Sequence, residues 1–295
     1  MRTVSVFSQA SAGVVTLTAA ALYLAAVGCG SATTATPVQA ASPLVAATTV
    51  PVVPVAAAVV GQAKGDWGSI KGQFVADGDV TPLKLLVTKG DAAAKDPSVC
   101  AAQDVPDESL VVDAKSGGIA NVVIYLQKKP AKIHPDLEKS KETEVVFDQK
   151  GCQFLPHVLL VRNDQQVRVL SGDAVAHNTH TYPLKNKQEN FVVSPNDRTG
   201  VAVPSVTLAE RLPAKVGCDI HPWMQAYWVI LDHPYAAVTK ADGTFEIKDL
   251  PVGEHVFTVW QEKVGYINKT YAVTVKAGDN DLKPVKVPAA TLMAK

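Results

Sequence analysis

Seven consecutive residues hold most of the chemistry this sequence offers: Cys218-Asp219-Ile220-His221-Pro222-Trp223-Met224. Upstream, Ala176-His177-Asn178-Thr179-His180 supplies two more imidazoles. One thiolate, two imidazoles and a thioether suit copper cycling between Cu(I) and Cu(II), because sulfur steadies the reduced ion and imidazole accepts both states. Structural zinc sites are closed by Cys, His or carboxylate and do not select Met, and calcium and magnesium take oxygen ligands. Of the 3 Met in the chain, Met1 and Met293 stand at its ends, so Met224 is the interior one. Each residue alone reads as ordinary packing or surface. The set, in this order, points to a copper centre.

Three donors within one heptapeptide have to lie on a tight loop between strands. Pro222 holds His221 out of helical geometry, and Ile220, Pro222 and Trp223 keep the surroundings of the sulfur apolar. The fourth donor must come from another strand. Residues three apart on a strand face opposite ways, so only one of His177 and His180 can reach the metal, and the local pattern does not choose between them.

The rest of the ordered chain reads as β almost throughout. Short apolar or alternating runs fall at residues 69–75, 121–126, 158–161, 167–170, 228–231, 244–247 and 255–260. They are separated by turns such as Asn163-Asp164, Asp242-Gly243 and Leu250-Pro251-Val252-Gly253, the pattern of sandwiches and barrels. The run at 121–126 is apolar on both faces. One helix is expected, a charged stretch over residues 135–144.

A chain of 295 residues allows two modest domains. Lys+Arg and Asp+Glu stand at 28 each, which leaves no electrostatic footprint for nucleic acid and no basic run for an anionic membrane. No Ser/His/Asp arrangement or paired-carboxylate motif is evident, so no enzyme is expected. An oxidase or nitrite reductase would need a second copper centre, and His134, His157, His233 and His255 form no cluster in sequence. Cys152 and His157 lie close together but lack a third partner, and His157 is taken as structural.

Residues 1–28 read as an export signal, with Arg2 ahead of a short apolar run. Gly28-Cys29 resembles a bacterial lipoprotein cleavage box in which Cys29 becomes a lipid anchor; ordinary cleavage near Ala26-Val27-Gly28 fits equally well. Residues 29–65, rich in Ala, Thr and Val and broken by Pro37, Pro43, Pro51 and Pro54, form a tether. The expected destination is the periplasm or cell envelope, with membrane contact only through the anchor. That compartment is oxidising. With Cys29 lipidated and Cys218 on the metal, Cys100 and Cys152 remain as a disulfide pair; two buried free thiols are the alternative.

Residues 145–232 resemble the cupredoxin (blue-copper) family, closest in the amicyanin branch, on the Cys-x-x-His-x-x-Met loop and the upstream His-Asn-x-His. The resemblance implies His177, Cys218, His221 and Met224 as ligands of one type 1 copper, Met224 being the weak axial one. It implies Asn178 as the brace of the ligand loop, Pro222 beside it, and a redox protein docking near His221 on an apolar patch with Pro222 and Trp223. Val216 stands where the family often has an aromatic.

Residues 238–255 resemble the strand-turn-strand of carboxypeptidase regulatory-like, transthyretin-like sandwiches, which also occur beside rhamnogalacturonan lyase domains. Their opening strands are sought at 68–75 and 120–126. The expected fold is all-β, a Greek-key cupredoxin barrel plus a smaller sandwich. An N-terminal β segment at 66–130 would pair with the sandwich at 236–288, with the cupredoxin domain at 131–235 inserted and a tail at 289–295. Three consecutive β units are the plainer alternative. The function expected is an exported protein carrying single electrons. The alternatives are a cell-envelope module binding carbohydrate or protein, with auxiliary or vestigial copper, and a copper carrier.

Overall fold

The computed structural model describes residues 64–204 and 206–294. The export signal at 1–28, Cys29 and the tether up to residue 63 lie outside the described residues. A 3-10 turn, Lys64–Asp66, leads into the first strand. The first part of the chain holds β1 (Trp67–Asp77) and β2 (Val123–Leu126). The middle holds β3 (Glu144–Gln149), β4 (Phe154–Leu155), β5 (Val158–Arg162), β6 (Gln166–Ser171), β7 (His177–Tyr182), β8 (Asn190–Val193), β9 (Val201–Val203), β10 (Ala214–Gly217) and β11 (Gln225–Leu231). Then come β12 (Ala236–Val238), β13 (Thr244–Pro251), β14 (Gly253–Gln261), β15 (Gly265–Val275), β16 (Gly278–Asp281) and β17 (Val285–Pro288).

Two sheets draw on both ends of this run. β1 pairs antiparallel with β13 and parallel with β16 and β17. β2 lies antiparallel between β12 and β14, and β14 pairs onward with β15. Ile70, Phe74, Ile124, Phe245, Ile247 and Phe257 fill the space these sheets share. The other two sheets, β5-β11-β10-β7-β8 and β4-β3-β6-β9, use only the middle strands. Phe147, Phe154, Val167, Val169, Val216 and Trp228 make their core. Burying each large side chain contributes roughly 1.5–3 kcal/mol.

The doubly apolar strands explain how the two cores meet. Along β2, Ile124 and Leu126 enter the first core, while Val123 and Tyr125 face the other way. Along β11, Trp228 and Ile230 enter the second core, and Val229 and Leu231 face outward to join Val123, Tyr125 and Trp260 in a shared cluster. A strand buried on both faces loses its polar alternation. Asp242-Gly243 closes the turn before β13 with Gly243 at φ 78°. A Cβ there would stand 2.2 Å from the Phe74 carbonyl oxygen, so the turn requires glycine.

The helix expected over 135–144 does not form. Pro135–Leu137 makes one 3-10 turn, started by the His134 ring accepting from the Asp136 N–H, and Glu144 already belongs to β3. Arg162 takes the carbonyls of Leu137 and Glu138 at 2.8 Å each, and Asp164 takes the N–H of Ser140 at 2.9 Å. With those groups engaged, the next helical turn has no bonds to make. β5 and β6 flank the Asn163-Asp164 turn but belong to different sheets. The stretch expected as a tail holds the short helix Ala289–Leu292, and Leu292 is buried in the first core. Among the described residues no helix is long and apolar enough to cross a membrane.

One further segment matters for the site. Val87 and Val105 form a β-bridge that closes a loop containing the helical turn Pro97–Cys100. Cys100 is disulfide-bonded to Cys152 across 52 residues, a closure that stabilises the fold by about 4 kcal/mol on the chain-entropy model. Val87, Ala101 and Val105 pack with Trp223 in a small cluster of their own. This loop is a cap on the ligand loop.

Candidate metal centre

The ligand heptapeptide is the connection between β10 and β11, which pair antiparallel from Gly217 opposite Gln225. The turn is closed by the Met224 N–H donating to the His221 carbonyl at 2.9 Å and the Cys218 N–H to the Met224 carbonyl at 3.2 Å. β7 pairs with the other edge of β10, which brings the start of β7 against the loop. His177, Cys218 and His221 offer donor atoms that all lie within 4.8 Å of one another. Met224, on the same loop, is buried in the core beneath. His180 projects to the opposite side of β7, where its ring meets Asp219 at 3.1 Å. Strand alternation thus separates the two upstream histidines, and His177 is the one beside Cys218.

Asn178 ties the loop to β7. Its backbone N–H donates to Cys218 Sγ at 3.4 Å. Its side-chain oxygen accepts from the N–H groups of Asp219 at 2.6 Å and Ile220 at 3.3 Å. The N–H of His221 adds a second donor to the sulfur at 3.4 Å. Pro222 is exposed, and Trp223 is half-buried with its indole N–H donating to the Cys152 carbonyl at 3.2 Å.

Two carboxylates not expected from sequence complete the site. Asp173, itself buried, accepts from the N–H groups of Gly151 at 2.7 Å and Cys152 at 2.8 Å, and from His177 Nε2 at 2.8 Å. Asp96, on the cap, accepts from His221 Nε2 at 3.0 Å. These acceptors assign the ring protons to both Nε2 atoms. In two neutral rings both Nδ1 atoms would then be acceptors, and they face each other across 2.9 Å. Lone pairs at that distance require a cation between them, either a proton or a metal ion. With a thiol sulfur 3.8 Å from His221 Nδ1, the donor set fits one soft or borderline ion.

The charges agree with that requirement. Burial works against a charged His177, but hydrogen bonds with Asp173 and Cys218 outweigh it and raise its pKa to about 9. Burial likewise opposes a Cys218 thiolate, yet hydrogen bonds from His177, His221 and two backbone N–H groups lower it to about 6. Desolvation would raise Asp173, and its hydrogen bonds from His177, Cys152 and Gly151 hold it below the usual carboxylate range. The metal-free chain therefore stores an imidazolium–thiolate pair between about pH 6 and 9.

The sign of each contribution follows by linkage. The His177 contribution to stability is complete below its ordinary 6.5 and lost as pH rises through about 9. The Cys218 contribution is complete above its ordinary 9.0 and lost as pH falls through about 6. Between 6.5 and about 9 the loss on His177 and the gain on Cys218 offset each other, so denaturant unfolding of the metal-free chain is expected to give a plateau of stability across that interval and a fall only as the pH drops from 6.5 through about 6. Cys218→Ser should abolish the fall on the acid side near pH 6; an unchanged acid limb would show that the thiolate is not formed.

The remaining histidines do other work. His157 is pinned by Glu262 at 2.5 Å and Glu108 at 3.7 Å, and its neighbour Cys152 is engaged in the disulfide. His233 donates to the Leu126 carbonyl, and His255 meets the Pro251 carbonyl. His134 packs edge-on against Trp67. His221, expected at a docking patch, is fully buried, because the cap bearing Asp96 stands over it.

No family model matches the sequence, and no curated protein matches it. Solved structures that match part of the chain include a copper-containing nitrite reductase from Thermus scotoductus, at 19% identity and TM-score 0.25 over 30% of this chain and 22% of that one. The chain thus spans about a fifth of the reductase. Amicyanin from Paracoccus versutus matches at 16% identity and TM-score 0.25 over 37% of this chain and 97% of its own. A purple cupredoxin from Nitrosopumilus maritimus matches at 16% identity and TM-score 0.24, over 30% of this chain and 100% of its own. Likenesses of that size carry no functional conclusion for this chain.

Proposed function

We propose that this chain is an exported type 1 copper protein that carries single electrons and is not an enzyme. The observation that carries the reading is the convergence of His177 Nδ1 and His221 Nδ1, 2.9 Å apart, beside the depressed thiol of Cys218. His177, Cys218 and His221 would hold the ion, and Met224, buried on the same loop, would offer a thioether sulfur. Copper bound there would supply a one-electron couple. The chain's own contribution is rigidity and dryness. Asn178 fixes the loop to β7, Asp173 fixes the His177 ring, and the cap excludes water from His221. Such outer contacts orient the ligands and set their basicity.

A redox partner would dock on the exposed Pro222 and the half-buried Trp223, since His221 lies beneath. The Trp223 ring centroid is 5.2 Å from that of His221. Export through residues 1–28, with or without lipid at Cys29, would put the chain in the periplasm or envelope. Protein-film voltammetry of the copper-loaded chain is expected to give a reversible one-electron wave. Loss of the ion on reduction would favour a copper carrier and contradict this reading.

The sheets built by β1, β2 and the strands from β12 onward fit a carboxypeptidase regulatory-like sandwich serving as spacer or ligand module. A cleft of about 770 Å³ beside it is lined by Lys128, Lys129, Lys185, Arg211 and Lys269, against Glu210 and Asp232. That excess of cations favours an acidic cell-surface ligand. Retention on an immobilised polyuronate, lost in salt, is the expected result; no retention at low salt would reject it.

A further inference from the structure

The disulfide between the cap and the β3–β4 turn brings two more sulfurs to the same place. Cys100, Cys152 and His221 offer donor atoms that all lie within 4.8 Å of one another, and so do Cys152, Asp173 and His177. The bridge therefore lies against both ligand imidazoles. All of Cys100, Cys152, His177 and His221 are fully buried. A disulfide is a poor metal ligand, whereas the two thiolates released by its reduction are soft donors that select Cu(I).

We propose that Cys100, Cys152 and His221 form a second ligand set, for a soft monovalent ion such as Cu(I), that exists only when the disulfide is reduced. An external dithiol would supply the electrons. Its thiolate attacks one sulfur of the bridge, the Cys100–Cys152 bond breaks, and the mixed disulfide resolves as the second reagent thiol attacks, giving two protein thiols and the oxidised reagent. Binding of Cu(I) then displaces the two thiol protons to solvent. His221 belongs to both sets, so the two complete sites exclude each other. The state of the bridge thus decides which set holds the ion.

The cap is built to permit this. Its own core is the small cluster of Val87, Ala101 and Val105. A segment whose own core is this small, joined to the second core mainly through Cys100 and Val99, is a place where local opening can precede global unfolding. Opening would admit the dithiol to sulfurs that are otherwise covered. The assignment does not use Cys218 and so stands apart from the electron-transfer reading, which the Cu(II) spectrum of the oxidised wild-type chain tests separately.

The experiment uses the full chain carrying Cys218→Ser, with Cu(I) alone as the probe and a chromogenic Cu(I) chelator as competitor. Oxidised Cys218→Ser is expected to yield its copper to the chelator. After dithiol reduction and removal of the reagent, it is expected to retain one equivalent and to protect Cys100 and Cys152 from alkylation. Adding His221→Ala should lower the retained affinity at least tenfold, and adding Cys100→Ser with Cys152→Ser should abolish retention. Near-UV circular dichroism of each metal-free form checks that the fold persists. The proposal is overturned if reduced Cys218→Ser retains no copper or if His221→Ala binds as tightly. A bridge that resists the dithiol until the whole chain unfolds overturns it equally.

Discussion

Cys218→Ser, loaded with Cu(II), is expected to lack the intense visible thiolate-to-copper band expected of the parent chain. Serine keeps the shape of the side chain, and its oxygen can still accept from the N–H groups of Asn178 and His221 that now point at the sulfur. The loop should therefore survive, and the change should fall on the metal. An alcohol oxygen is a hard donor with no accessible thiolate transition and little affinity for Cu(I). The loss of copper affinity should exceed the roughly 10–100-fold that follows removal of an outer-shell partner. A variant that kept both the band and its affinity would remove Cys218 from the centre.

Asp173→Ala should have the largest effect on the metal-free fold. The carboxylate accepts two backbone N–H groups and the ring N–H of His177, with no solvent to replace it. Its loss strands those donors and leaves the His177 imidazolium with the Cys218 thiolate as its remaining buried counter-charge. Breaking one side of a buried charged pair costs about 3–5 kcal/mol, and each orphaned donor adds its own desolvation penalty. The denaturant midpoint of the metal-free chain is the measurement. A loss below about 0.5 kcal/mol, within the range of surface substitutions, would mean that Asp173 does not hold the ring as its geometry implies.

The parts of the site that were legible in the sequence are those whose chemistry is local. Cys218, His221 and Met224 share one loop, so residue type and spacing were enough to mark them as candidates, and strand face separated His177, which lies beside Cys218, from His180 once β7 was in place. The double apolar character of residues 121–126 also had a visible cause, since Ile124 and Val123 serve different cores. Asp96 and Asp173 were not legible. Asp96 reaches His221 from 125 residues away through a backbone with φ 51°, and nothing in its local pattern distinguishes it from a solvated acid. The cap has no apolar periodicity to mark it, only Val87, Ala101 and Val105 around a cysteine. For that reason the burial of His221 was missed, and a docking patch was expected where a carboxylate stands. The helix at 135–144 failed for a related reason: the side chains of Arg162 and Asp164 took its backbone partners, and a charged amphipathic stretch carries no sign of such competition.

The most direct test of the central claim is X-ray absorption at the copper edge of the loaded, disulfide-intact chain. The expected result is one sulfur and two imidazole nitrogens around a single copper in both oxidation states, with little change between them. A coordination sphere of nitrogen and oxygen alone would contradict it.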